Sequence, residues 1–300
     1  MPPLRSLAVV LVAGAALGAC TPSISDPAGP IAAADNAIML DSLAIMMAII
    51  VPTIIAIFGF AWWYRASNGR ALYRPNWDYS GQVEMVVWGI PLLVIVLLGG
   101  VAWIGSHQLD PAKPIASSKE PIEVEAVSLD WKWLFIYPHE GVATLNKLVV
   151  PVGVPLHFSL TSASVMNAFF VPNLGTMIYT MNGMSTQLNL QADKTGVFYG
   201  RSAHFSGDGF PGMQFNVDVL EPKDFADWVG QAKASKELLD ETSYRQLLKQ
   251  SSNVPPATFK LADAMLYSDI VSRKLPPGPG PQYGHPTPDV SPRSGDKHVR

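Results

Sequence analysis

Gly196–Phe215, GVFYGRSAHFSGDGFPGMQF, is the stretch around which the rest of the chain is read. Val197, Phe198 and Tyr199 are strand formers that lead into a loop rich in Ser and Gly. Gly207, Gly209 and Gly212 permit tight turns there. From Met213 to Leu220, Phe215, Val217 and Val219 alternate with polar residues, the period of a strand with one buried face. Taken alone, the stretch is a glycine-rich β-hairpin whose loop holds one His, one Met and no Cys.

Upstream, strand patterns begin at Ile122, with Val124 and Ala126 in alternation, and recur at Lys147–Pro151 and Pro155–Thr161. Turn signals separate them: Pro138, Gly141, Gly153, Asn173-Leu174-Gly175, Asn182-Gly183 and Asp193–Gly196. Short strands at this spacing over 122–220 predict a Greek-key β-sandwich or barrel. Neither helix–strand alternation nor a phosphate loop is present, which excludes a Rossmann-type nucleotide fold. In Asp130–Pro138, DWKWLFIYP, period two places Trp131, Trp133 and Phe135 on one face and Lys132 and Leu134 on the other. Trp131 and Trp133 read as aromatic packing in the core or at a subunit contact. Residues 221–275 read as helical. Phe225, Trp228, Val229 and Ala232 have helical spacing, Asp240 offers a cap, and a third amphipathic stretch covers Phe259–Val271. The tail, 276–300, is rich in Pro and Gly and reads as disordered.

The N-terminal third has a different character. Residues 1–20 carry Arg5, an apolar run and Leu17-Gly18-Ala19-Cys20, a secretory signal ending on a cysteine. Residues 21–36 are Pro- and Ala-rich and read as a tether. Two membrane spans fill 37–105. Ser42–Tyr64 is free of charge over about 23 residues, and Met85–Ile104 over about 20, each enough to cross a bilayer core. The loop between them, 65–83, carries Arg65, Arg70 and Arg74, so it faces the cytoplasm and both termini face the periplasm. Glu84, at the start of the second span, reads from its spacing as a carboxylate favoured by the helix dipole. A proton-handling group is the sharper alternative. A linker, 106–121, joins the spans to the strands.

Composition agrees with this division. Of the 300 residues 48% are hydrophobic and only 15% charged, room for a membrane anchor and one sizeable domain. A net charge of −3 supplies no basic face for nucleic acid. One cysteine excludes an intrachain disulfide and any multi-thiolate metal site in this chain.

The layout, together with DWKWLFIYP at 130–138, TSASVMNAFFVPNLGTMIYTMNGM at 161–184 and SAHFSGDGFPGM at 202–213, resembles subunit II of the haem–copper terminal oxidases, most of all that of the cytochrome bo-type ubiquinol oxidases. The resemblance implies a two-helix transmembrane hairpin followed by an all-β cupredoxin-like periplasmic domain with a C-terminal helical segment. It implies lipidation of Cys20 and a place in the bacterial inner membrane beside subunits I, III and IV. The cytochrome c oxidases of this superfamily hold a binuclear copper site in the domain, built on a His and then C-x-E-x-C-x-x-x-H-x-x-M. On this chain the corresponding positions are Asn167, Ser202, His204, Ser206, Phe210 and Met213. Only Met213 keeps the family's residue, and it reads rather as an apolar filler under the loop. A neutral hydroxyl does not replace a thiolate, and Phe donates nothing. The resemblance therefore implies a domain without metal, with haems and copper in subunit I. The electron donor would be ubiquinol, not cytochrome c, and the complex would reduce dioxygen to water and pump protons. It also places Glu84 at the mouth of a proton channel. Two other readings stand beside this one: a membrane lipoprotein that scaffolds or assists assembly, and a cytochrome c oxidase subunit II, which the missing thiolates disfavour.

Overall fold

The computed structural model describes residues 23–72 and 74–280. The signal segment with Cys20, and the tail from residue 281 onward, lie outside the described residues. The chain forms two compact units, one of residues 34–110 and one that joins the residues up to 33 to those from 111 onward.

The first unit is helical. Helix α1 spans Pro30–Trp63 and α2 spans Gly81–Gln108. Each contains a window of membrane-spanning length and hydropathy, and neither window is buried within the chain. Both helices outrun the charge-free stretches. α1 begins at Pro30, not Ser42, and passes through Asp35, Asn36 and Asp41. Proline suits a first helical turn, and these polar residues carry only a small helix penalty. α2 runs to Gln108, into what the sequence suggests is a linker. At Gly105 the helices approach closely: a Cβ there would lie 2.9 Å from Ile38 Cδ1.

Residues 26–33 do not form a free tether. The Ala28 amide donates to Asn173 O at 2.8 Å, the Asp193 amide to Ala28 O at 2.6 Å, and the Ala32 amide to Leu174 O at 3.1 Å. Ala28 and Ala32 are buried. Small side chains let this segment lie against backbone, an option that composition alone does not reveal.

The second unit is a sandwich of two sheets. Strands β1 (Ile122–Leu129), β2 (Lys132–Tyr137), β3 (Val142–Leu145), β4 (Lys147–Pro151) and β5 (Pro155–Ser162) come first. Then follow β6 (Asn167–Phe170), β7 (Ile178–Thr180), β8 (Thr186–Gln191), β9 (Gly196–Ser202) and β10 (Gln214–Leu220). One sheet has five strands in the order β4-β10-β9-β6-β7. β9 and β10 pair antiparallel with Phe215 opposite Gly200, so the glycine-rich stretch is a hairpin. The other sheet has the order β8-β5-β1-β2-β3 and is extended beyond β3 by the C-terminal segment. Between the sheets lie Trp133, Phe135, Tyr137, Phe158, Phe169, Phe215, Val217 and Val219. The rings of Trp133, Phe135, Phe169 and Phe215 meet at centroid distances of 5.1–6.4 Å, mostly edge to face.

The C-terminal segment is only partly helical. Helices α3 (Pro222–Lys233), α4 (Glu241–Leu247) and α5 (Leu266–Val271) alternate with strands β11 (Leu238–Leu239) and β12 (Ala257–Leu261). Asp240 caps α4, accepting from the Ser243 amide at 2.8 Å. The stretch Phe259–Val271 is therefore a strand and then a helix, not one amphipathic helix. β12 pairs antiparallel with β3, Phe259 opposite Ala143. Edge pairing satisfies its backbone, and that tertiary gain overrides a helical side-chain pattern. The segment buries a second core of Tyr244, Phe259, Leu266, Tyr267 and Ile270 against Val127, Leu129, Leu134 and Ile136.

Glu125 sits on this covered face, opposite Ile136. Burial, and then the charge of Glu123, push its carboxyl up from 4.5 to about 7, with His139 opposing. The native state thus holds this proton more tightly than the unfolded chain does. The resulting stabilisation is complete below pH 4.5 and is lost as pH rises through about 7. In Glu125→Gln, thermal unfolding followed across this range should lose that part of the pH dependence. An unchanged profile would show that Glu125 is solvated.

Candidate functional site

The loop between β9 and β10, residues 203–213, gathers the candidate positions on a scaffold from three directions. Ser202 closes β9. Its amide donates to Met213 O at 3.1 Å, and its hydroxyl donates to Asn167 Oδ1 at 3.2 Å and to His204 O at 3.3 Å. Asn167 opens β6, is buried, and is held across the ladder by Thr180. A short 3₁₀ turn, Phe210–Gly212, then returns the chain to Met213, which is 1% exposed and belongs to the main core. His204 is half-buried and meets the Tyr179 ring edge-on at 5.7 Å. Phe210 packs on the exposed Phe205 at 5.6 Å.

Ser206 is buried, and its hydroxyl has no hydrogen-bond partner. Its carbonyl is the acceptor for the Trp131 indole N–H at 3.0 Å. Trp131 stands at the β1–β2 turn with φ 63°, a costly conformation for a large side chain. Its ring occupies the space above Gly209, where a Cβ would lie 2.3 Å from it. Sequence reading assigns Trp131 to packing and misses this tie. The accessible signal is the pairing of an aromatic turn with a loop glycine, visible only once both ends are placed.

Beside the loop an open cleft of about 310 Å³ is lined by Tyr199, Arg201, Ser202, Ala203, Phe210, Pro211 and Met213. The structure thus draws Asn167, Ser202, His204 and Met213 into one bonded group, with Ser206 anchored to Trp131. Trp133 lies in the core between the sheets. Glu84 is in the helical unit, in the first turn of α2, where it accepts from Trp88 Nε1 at 3.0 Å. Cys20 is outside the described residues.

The two serines differ in a way that unfolding experiments resolve. Ser202→Ala removes a buried hydroxyl that has partners and should cost about 1 kcal/mol. Ser206→Ala removes one that has none, so it should be neutral or stabilise by up to about 1 kcal/mol. Thermal unfolding of the two variants should rank them in that order, and the reverse order would mean that Ser206 is solvated.

Residues 139–219 match the family model for the periplasmic domain of cytochrome c oxidase subunit II, and residues 233–278 match the COX aromatic rich motif. The chain is 42% identical over 257 residues to cytochrome bo(3) ubiquinol oxidase subunit 2 of Pseudomonas aeruginosa, covering 86% of this chain and 78% of that one. It is 41% identical over 259 residues to ubiquinol oxidase subunit 2 of Acetobacter aceti, covering 86% and 84%. Quinol oxidase subunit 2 of Bacillus cereus is 35% identical over 236 residues, covering 78% and 81%. Among solved structures, the periplasmic domain of subunit II of the Bradyrhizobium japonicum cytochrome oxidase aligns with 28% identity and a TM-score of 0.38, over 40% of this chain and 98% of that one. By its identity to these subunit 2 relatives the chain belongs to the subunit II family of the quinol oxidases, within the haem–copper terminal oxidases.

Proposed function

We propose that this chain is a subunit II without its own redox centre, in a proton-pumping complex that oxidises ubiquinol and reduces dioxygen to water. The observation that carries the reading is the donor set at the hairpin loop. A binuclear copper pair needs bridging thiolates, since soft sulfur delocalises the shared electron. Here Ser202 hydrogen-bonds Asn167, Ser206 presents a neutral hydroxyl, Phe210 has no donor, and only the buried thioether of Met213 is a soft ligand. Among the described residues no group of three or more His, Cys, Asp or Glu could hold a metal ion. These residues do not fit the copper pair, and no electron step is routed through the domain.

The haems and copper then belong to subunit I, with subunits III and IV completing the assembly. Quinol oxidised within the membrane delivers electrons there directly. Glu84 would collect protons at the cytoplasmic end of α2. The Trp88 indole orients one carboxylate oxygen, leaving the other to exchange protons with water. The arginines of the 65–83 loop support a cytoplasmic placement of that end. Cys20 would carry the acyl chains, an addition to an anchor that two spans already provide.

The purified oxidase decides the reading. It should consume oxygen with ubiquinol and not with reduced cytochrome c, and this chain, once separated, should contain no stoichiometric copper. Copper in the chain, or cytochrome c turnover, would overturn it. Glu84→Ala should slow quinol-driven oxygen consumption several-fold while the complex still assembles, with Glu84→Asp retaining more activity. Unchanged turnover of Glu84→Ala across pH would remove the proton-entry role. Cys20→Ser should stay in the membrane but lose lipoprotein processing, as intact mass would report.

A further inference from the structure

Asp130, Trp131 and Lys132 are consecutive, yet their side chains reach three parts of the chain far apart in sequence. Lys132 is buried, and its Nζ donates to Lys249 O at 2.6 Å and to Ser251 Oγ at 2.5 Å. Asp130, also buried, accepts from the Ser164 hydroxyl and, at 3.1 Å, from the Gly280 amide. Trp131 goes to the hairpin loop, at Ser206 O and Gly209. The C-terminal segment also reaches that loop directly. Asn253 adopts φ 54°, which Asn tolerates, and a Cβ on Gly212 would come within 2.4 Å of its Oδ1. Next to it, Val254 O accepts from Asn146 Nδ2 at 2.8 Å, and Asn146 Oδ1 accepts from the Trp133 amide at the start of β2.

We propose that residues 249–254 and the Asp130–Lys132 turn form a clamp that fixes the shape of the 203–213 loop, a positioning role for the aromatic-rich C-terminal segment. The loop is rich in glycine and would otherwise lose much conformational entropy on ordering. Among the described residues, its backbone bonds outside the turn at 207–213 lie at its two ends, Ala203 N–H to Ala168 O at 2.9 Å and Ser202 N–H to Met213 O at 3.1 Å. The Trp131 bond at Ser206 O and the Asn253 side chain packed against Gly212 divide it into short spans, which cost less to close. The clamp acts through the protein alone, so it stands or falls separately from the copper content of the chain. If the C-terminal segment merely covered the sheet, changes at its own residues would leave the loop indifferent.

Hydrogen exchange by mass spectrometry on the intact oxidase tests this. Asn253→Gly keeps the left-handed backbone and removes the side chain. Loop amides in 203–213 should then exchange about tenfold faster, with β4 and β5 unchanged. Gly212→Ala should open the loop by itself yet add nothing to Asn253→Gly, because the collision it creates is then gone. Lys132→Met should speed exchange in both 249–254 and 203–213, and Ser251→Ala reads the same anchor if Lys132→Met does not assemble. The clamp is overturned if the loop exchanges within about twofold of wild type in Asn253→Gly and in the Lys132 or Ser251 variant. Additive effects of Gly212→Ala and Asn253→Gly would overturn it as well.

Discussion

Strand β2 has no solvent side. Every residue from Lys132 to Tyr137 is buried, so two cores have to be built around one strand. A sheet of a sandwich usually keeps its outer face wet, with polar residues on it. Here the outward set includes Leu134 and Ile136, joined by Val127 and Leu129 from β1. Left open, this would be a contiguous apolar patch of the kind soluble domains avoid. The C-terminal segment is thus an integral layer of the fold. It covers the patch with Tyr244, Leu266, Tyr267 and Ile270 and lengthens the same sheet through β12. Each large apolar side chain so buried contributes about 1.5–3 kcal/mol.

Lys132 is the one fully buried cation on that face among the described residues. Its ammonium is surrounded by protein, and burial pushes its pKa down to about 8 against the pull of Asp130. A buried cation is weak evidence for stability, since desolvation offsets much of what its partners return. Its contacts are specific instead. They go to one carbonyl and one hydroxyl of the C-terminal segment. Apolar cover supplies the adhesion.

How far the sequence discloses this depends on the range of the interactions. The sandwich strands are legible because their alternation is local: Phe215, Val217 and Val219 point inward and are buried as their period requires. The membrane helices are legible in their apolar centres but not at their ends, because hydropathy marks lipid contact and not helix continuity. The C-terminal strands are obscured for another reason. Ala257–Leu261 is only a short run, and its conformation is set by the free edge of β3, more than a hundred residues away in the chain. At the loop, residue types at Asn167, Ser202 and Ser206 are readable as donors unsuited to copper. The hydrogen bond between Asn167 and Ser202, and the indole that reaches Ser206, depend on tertiary placement.

Ser206 shows what kind of loop this is. A buried hydroxyl without a partner is uncommon, because it forfeits its hydration and gains nothing in return. The loop buries the side chains at positions 202 and 206. On the reading proposed above, serine keeps nearly the volume of a metal-binding cysteine, so the backbone can retain its path while the donor chemistry is lost. Asn167 accepts from Ser202, and Trp131 holds the Ser206 carbonyl, so short-range neutral hydrogen bonds hold these positions. Such bonds are weak one at a time, each worth about 0.5–1.5 kcal/mol net. They hold a loop only when the groups that make them are already rigid. The two-sided burial of β2 provides that rigidity, since Trp131 immediately precedes a strand that is buried at every residue.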